Sequence, residues 1–188
     1  MIELHALSVH ADCFYVKPDG TGIVLCPNPA FVPKILSAQN LNQVLNQALD
    51  PFHPPPFGSE EDETLNCLCP VRALLCYVNR TQSFRVTDQL FVCYGAGQQG
   101  KAISKQRLSH WVVEAIKCAY EPSGFSAPTT AVAHSTRGIA TSWALLKGVP
   151  LHEICQAACW SSPSTFARFY SLNVTSRLSF GNAVLSSN

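Results

Sequence analysis

Charge is scarce in this chain: Asp, Glu, Lys and Arg make up only 13% of its 188 residues, while 47% are hydrophobic. A disordered or solvating chain needs the opposite balance, so that class is excluded. Long apolar runs are also missing, and none approaches the roughly 20 residues that cross a bilayer. The opening residues, MIELHALSVHAD, have neither the basic start nor the apolar stretch of a secretory signal. No Cys-x-x-Cys pair occurs: Cys67 and Cys69 stand too close for a zinc knuckle, and Cys155 and Cys159 are four apart. The nine cysteines, odd in number and irregular in spacing, read instead as core residues of a reduced, intracellular protein. A phosphate-binding loop is absent too, because GAGQQGK at 95–101 has no Ser or Thr after its lysine. No internal repeat is present. Neither a metal nor an organic cofactor is expected.

What remains is enough chain for one domain with a real core, taken as 1–188. The net charge of +1 hides an asymmetry. Residues 1–100 carry five basic and nine acidic side chains, a balance of −4, and residues 101–188 carry eight and three, a balance of +5. The basic set of the second half is Lys101, Lys105, Arg107, Lys117, Arg137, Lys147, Arg168 and Arg177. An anionic partner for that half is the expectation.

The order of elements is α+β, mainly α. Residues 12–17 (DCFYVK) and 22–26 (GIVLC) read as strands around a Pro18-Asp19-Gly20 turn, with residues 27–35 as a Pro-interrupted third strand at the edge. That gives a sheet region over 1–49. Residues 50–66 read as a Pro-rich, then acidic surface loop, the run Glu60–Glu63 being a solvated cap. A helical body follows over 67–175, with a tail at 176–188. Pro70 opens a helix whose apolar stripe is Val71, Leu74, Leu75 and Val78. Residues 89–94 (QLFVCY) are a short buried strand or extended segment. From Ser104 a long helix places Leu108, Trp111, Val112, Ala115, Ile116 and Ala119 on one face. Three more helices are expected: one from about Ser135 to a stop at Gly148-Val149-Pro150, one from about Pro150 to Cys159, and one capped by Ser162 with Pro163 at its first position.

His134-Ser-Thr-Arg137 is the most informative tetrapeptide. At i and i+3 on a first helical turn, an imidazole and a guanidinium share one face, beside free backbone N–H groups, and converge on a small anion. With its surroundings, AHSTRGIATSWALLKGVPLHEICQAACWSSPSTFARFY at 133–170, the stretch resembles the terminal motif of the tyrosine recombinases, the phage-integrase superfamily. In that family His-x-x-Arg opens a helix, a helical hairpin with a small-residue break follows, and a Gly-His or Gly-Trp step leads through a polar turn to the helix bearing the nucleophilic tyrosine. The matching parts are His134, Arg137, the break at Gly148-Val149-Pro150, Trp160, the SSPST turn and Tyr170. Cys159 stands where glycine is usual, and Phe169 occupies the common tyrosine slot, one residue before Tyr170. A phenyl ring cannot attack phosphorus. With CPVRALLCYVNRT, DQLFVCYG, ISKQRLSHWVVEAI and WSSPSTFARFYSLNV, the chain resembles the recombinase of DIRS-type retrotransposons over nearly its whole length.

The resemblance implies the catalytic-domain fold of that family, a small antiparallel sheet packed on a helical bundle. It also implies an enzyme of DNA recombination and integration, working on double-stranded DNA without a metal, self-associating on it, in the nucleus and away from membranes. Tyr170 would attack a phosphodiester to leave a 3′-phosphotyrosyl bond and a free 5′-hydroxyl. Arg137, His134 and Trp160 would hold the phosphate oxygens, because phosphoryl transfer asks mainly for positioning and charge stabilisation. Lys34, with Lys17 behind it, would be the general acid, and Lys101, Lys105, Arg107 and Arg168 would contact DNA. The family's first arginine precedes a Glu-Leu pair. Here Glu3-Leu4-His5-Ala6-Leu7 matches the end of that box, and the arginine falls one position before Met1; Arg72 reads as a helix residue and no replacement. This implies an N-terminally truncated domain, slow or inactive as it stands. The alternative is a non-catalytic DNA-binding or protein-interaction remnant of the same fold.

Overall fold

Two short strands close over the Pro18-Asp19-Gly20 turn. In the computed structural model, which describes residues 2–31, 47–158, 160 and 162–171, β1 (Phe14–Val16) and β2 (Ile23–Leu25) pair antiparallel with Phe14 opposite Leu25. Gly20 sits at φ +70° and the Asp19 carboxylate accepts the Thr21 N–H at 2.9 Å, the local chemistry those two residues bring to a turn. The third strand lies elsewhere than expected. β3 is Gln47–Leu49, pairing with β2 so that Ile23 faces Leu49. Of residues 27–35, the described part holds no strand: Pro27 makes a single bridge to Leu7, and Asn28 turns the chain by accepting N–H bonds from Ala30 and Phe31.

Seven α-helices are present among the described residues, which makes the fold mainly helical: α1 (Ile2–Ala6), α2 (Glu60–Asn66), α3 (Pro70–Thr81), α4 (Lys105–Tyr120), α5 (Ser135–Leu146), α6 (Leu151–Ala157) and α7 (Pro163–Phe169). Helix α2 corrects the reading of residues 50–66 as loop. Ser59 caps it, its hydroxyl accepting the Asp62 N–H at 3.1 Å, and the acidic run fills the first turn, where carboxylates complement the exposed N–H groups. The Asp62 carboxyl is held below its ordinary range chiefly by the hydrogen bond with His53, at 2.7 Å, and further by Ser59.

The chain gathers into two compact units that divide between Glu114 and Ala115, within α4. In the first unit Ile23, Leu90, Val92 and Ile103 are all but sealed from water. Val71 is buried against Ile23 and Cys69 with Leu74 beside them, while Val78 packs on the neighbouring cluster of Leu7, Leu25 and Leu90; Leu75, the fourth member of the expected stripe, is exposed. Residues 89–93, expected as a strand or extended segment, pass through this core with isolated bridges at Gln89 and Val92 and a bend at Leu90 and Phe91, tied by side-chain hydrogen bonds. Gln89 donates to His5 O at 2.8 Å. The Arg85 guanidinium donates to the carbonyls of Gln89 and Leu90 and, at 2.6 Å, to the Thr81 hydroxyl, and burial lowers its pKa. At the α2–α3 corner Asn66 donates to the carbonyls of Phe52 and His53 and accepts from Arg72 at 2.9 Å. Arg72 is thus a helix residue with a structural partner.

The reading of the cysteines as core is half right. Among the described residues Cys13, Cys69, Cys93 and Cys155 are buried, whereas Cys67, Cys76 and Cys118 are exposed.

Candidate functional site

The second unit contains the residues singled out by the recombinase-like motif. Helix α5 begins where the His-x-x-Arg pattern placed it. His134 is its N-cap and is exposed; its carbonyl accepts the Arg137 N–H at 3.2 Å, so the two side chains leave the same first turn. The helix ends at Leu146, with Lys147 as cap and Gly148 at φ +85°, a left-handed backbone that stops the helix before Pro150. Pro150 then caps α6, and Ser162 precedes α7 with Pro163 in its first position.

Between α5 and α6 lies an open groove of about 590 Å³, bounded by Thr136, Arg137, Thr141, Glu153 and small apolar side chains. Arg137 is half-buried there. Its one cation is matched by the Glu153 carboxylate, so the groove is not the wholly basic cleft that a phosphate site implies.

Trp160 and Tyr170 are brought together directly. Their rings stack with centroids 4.4 Å apart and planes 25° apart, in a cluster with Ile154, Cys155 and Phe166. Trp160 is buried and Tyr170 half-buried. The Ser142 hydroxyl donates to the Tyr170 carbonyl at 3.0 Å, fastening the end of α7 to the helix that starts with His134 and Arg137. Arg137 and Ser142 are separated by about 7.5 Å along the axis and about 140° around it. The groove and the aromatic cluster nonetheless share Ala144, Val149, Ile154 and Ala158 as a common wall. Tyr170 packs against that cluster and is not among the residues that line Arg137's groove. Phe169 takes the outward position: the residue is 71% exposed, with the Arg168 guanidinium 5.7 Å from its ring centroid.

Lys34 lies outside the described residues. Lys17 is engaged elsewhere, its ammonium donating to Asp50 at 2.5 Å, and this hydrogen bond raises its pKa. A raised pKa is the wrong direction for a proton donor near neutrality. Lys101, Lys105 and Arg107 are exposed in the first unit, and Arg168 is exposed in the second. Lys105 and Arg107 occupy the start of α4, where the Ser104 hydroxyl accepts the Arg107 N–H at 3.2 Å.

Two features had no signal in the sequence. The Ser142 anchor joins residues 28 apart, and Ser142 looks like any small residue of an amphipathic helix. The groove is built by alanines, whose role is to leave room. Among the described residues no three His, Cys, Asp or Glu side chains cluster as metal ligands do. No known protein family, curated protein or solved structure matches the chain.

Proposed function

We propose that this chain is the catalytic domain of a DNA tyrosine recombinase, cutting and rejoining strands through a 3′-phosphotyrosyl intermediate. The observation that carries the reading is the linkage of three motif parts in one unit: His134 and Arg137 open α5, Ser142 on the same helix holds Tyr170, and Trp160 stacks on the tyrosine ring. In the reaction the Tyr170 oxygen bonds to phosphorus as the bond to the 5′ oxygen breaks, and that oxygen leaves as a hydroxyl. Arg137 offers a planar, permanent charge to the equatorial oxygens and His134 a further donor. Lys34 is proposed as the proton donor to the leaving oxygen.

Tyr170 is stacked on Trp160 and does not line the groove, so on this reading attack requires the tyrosine end of α7 to move. That motion would give up the Ser142 hydrogen bond, about 1 kcal/mol net, and the Trp160 stack, about 0.5–1.5 kcal/mol, together with the packing of Tyr170 on its cluster. Double-stranded DNA, self-association on it and a nuclear setting belong to the same proposal.

A nicked DNA substrate, whose cut strand dissociates after cleavage, traps the intermediate. A slowly formed, denaturant-resistant adduct is expected, lost in Tyr170→Phe and slowed about 10²- to 10³-fold in Arg137→Ala. A second reading, a DNA-binding remnant without chemistry, draws on one observation: the exposed ring at the end of α7 is Phe169, and the tyrosine is turned inward. DNA binding with no adduct under any condition would decide for it.

A further inference from the structure

The face around Tyr94, in the first unit, plays no part in the chemistry proposed for Tyr170. Backbone pairing assembles it. The Cys93 N–H donates to Lys101 O at 2.8 Å, the Gly100 N–H to Cys93 O at 2.9 Å, and the Val86 N–H to Gly100 O at 3.1 Å. Gly100 is required at this crossing: its φ is +78°, and a Cβ there would lie 1.8 Å from the Phe84 carbonyl oxygen. The close approach brings Phe84, Val86, Tyr94 and Lys101 to one place. Tyr94 meets Phe84 edge-to-face, with centroids 5.4 Å apart and planes at 84°. That contact fixes the plane of the tyrosine ring while 61% of the residue stays open to water, next to a Val86 that is 71% exposed.

The stretch of chain that carries this ring has charge of one sign. From residue 89 to residue 113 there is no Asp or Glu, and the cations are Lys101, Lys105 and Arg107, all exposed. The short segment from Lys101 to the start of α4 is held in place by the Ile103 N–H donating to Phe91 O at 3.3 Å. The nearest carboxylate before it, Asp88, borders a separate hollow with Ser8, His10 and Asp12. An oriented aromatic ring beside cations with no interleaved carboxylate suits a partner that offers a flat π face and phosphates together. Bases in a duplex are stacked on one another and offer no such face, whereas an unpaired base does.

We propose that Tyr94 is a stacking platform for an unpaired base of a DNA strand whose phosphates lie on Lys101, Lys105 and Arg107. The proposal rests on DNA as the partner, as the function above does, but not on Tyr170 or on any covalent step.

The test is fluorescence anisotropy of the whole chain with a labelled single strand of DNA, the blunt duplex of the same sequence and the matching RNA strand. Stacking on one aromatic side chain is worth about 5- to 100-fold in affinity, so Tyr94→Ala should weaken the single strand by about that factor. Duplex affinity should be unchanged, and Tyr94→Phe, which keeps the π face, should bind the single strand as the parent does. Lys101→Ala should weaken both DNA forms and flatten their salt dependence. Equal losses on duplex and single strand in Tyr94→Ala, or no loss on either, would overturn the platform. Tighter binding of the RNA strand would overturn the assignment to DNA, and failure of every nucleic acid to bind would overturn the platform itself. The two proposals separate cleanly. A Tyr170 adduct with Tyr94→Ala silent sinks only this one, and Tyr94-dependent binding without an adduct sinks only the other.

Discussion

The two units bury their side chains differently. In the first, the sealed aliphatic residues come from distant parts of the chain: Ile23 from β2, Leu90 and Val92 from the segment after α3, Ile103 from the approach to α4. Side-chain hydrogen bonds reinforce them: Gln89 reaches His5, 84 residues away, Asn66 holds the carbonyls of Phe52 and His53, and Arg85 holds two carbonyls and a hydroxyl close by in sequence. In the second, the cluster is drawn from α6, α7 and the turn between them, with Ala144 of α5 packed on it and the Ser142 hydroxyl bonded to the Tyr170 carbonyl. Ile139, Trp143 and Leu146 form a stripe on α5 that is left in water. On the proposed function the first unit would serve as scaffold and the second would carry the moving tyrosine, since fewer constraints hold its end.

The comparison breaks most visibly in the first core. Leu90→Ala or Ile23→Ala removes a sealed aliphatic side chain and should cost about 2–5 kcal/mol in chemical denaturation. A cost under about 1 kcal/mol would mean that this core is not closed. Ser142→Ala, in the second unit, should cost only about 1 kcal/mol, the net worth of one hydrogen bond. Because the bond holds Tyr170 in its resting place, the same variant should trap adduct on nicked DNA at least as fast as the parent; a large drop in rate would mean that Ser142 positions the tyrosine for attack. On the solvent stripe, Ile139→Ser should change stability by less than about 0.5 kcal/mol in either direction. A loss of several kcal/mol there would show a covered face.

A finer contrast is available through pH. The Asp62 carboxyl, its pKa depressed mainly by the His53 hydrogen bond, favours the folded state when ionised. A group with a depressed folded pKa contributes stability above its unfolded pKa and loses it as pH falls through the folded one. Acid titration of stability in the parent should therefore show a limb in the carboxylate range that is shallower in Asp62→Asn. An identical acid limb in the two proteins would mean that the pair adds nothing to folding.

Local chemistry was legible in the sequence where the backbone itself demands a residue. Asp19 and Gly20 announced the hairpin, Gly148 and Pro150 the break between α5 and α6, Ser162 and Pro163 the start of α7, and Pro70 the start of α3. What was missed depends on pairing at a distance. Gln47–Leu49 has no β-branched residue and becomes a strand only because β2 offers it an edge. Glu60–Asn66 followed a proline-rich stretch and carried four acids, yet the Ser59 cap and the charges at its N-terminus favour a helix. The mutual placement of His134, Arg137, Trp160 and Tyr170 shows the same split. Their spacing along the chain was readable, whereas the inward turn of Tyr170 and the outward turn of Phe169 arise from packing around Phe166 and Trp160.

Mass-spectrometric mapping of the residue joined to DNA tests the central claim most directly. After trapping on a nicked substrate, digestion with protease and nuclease should yield a peptide carrying a nucleotide on Tyr170, and Tyr170→Phe should yield none. A nucleotide on any other residue, or an adduct that persists in Tyr170→Phe, would contradict the assignment of the nucleophile. Complete absence of adduct alongside salt-dependent DNA binding would contradict the chemistry itself.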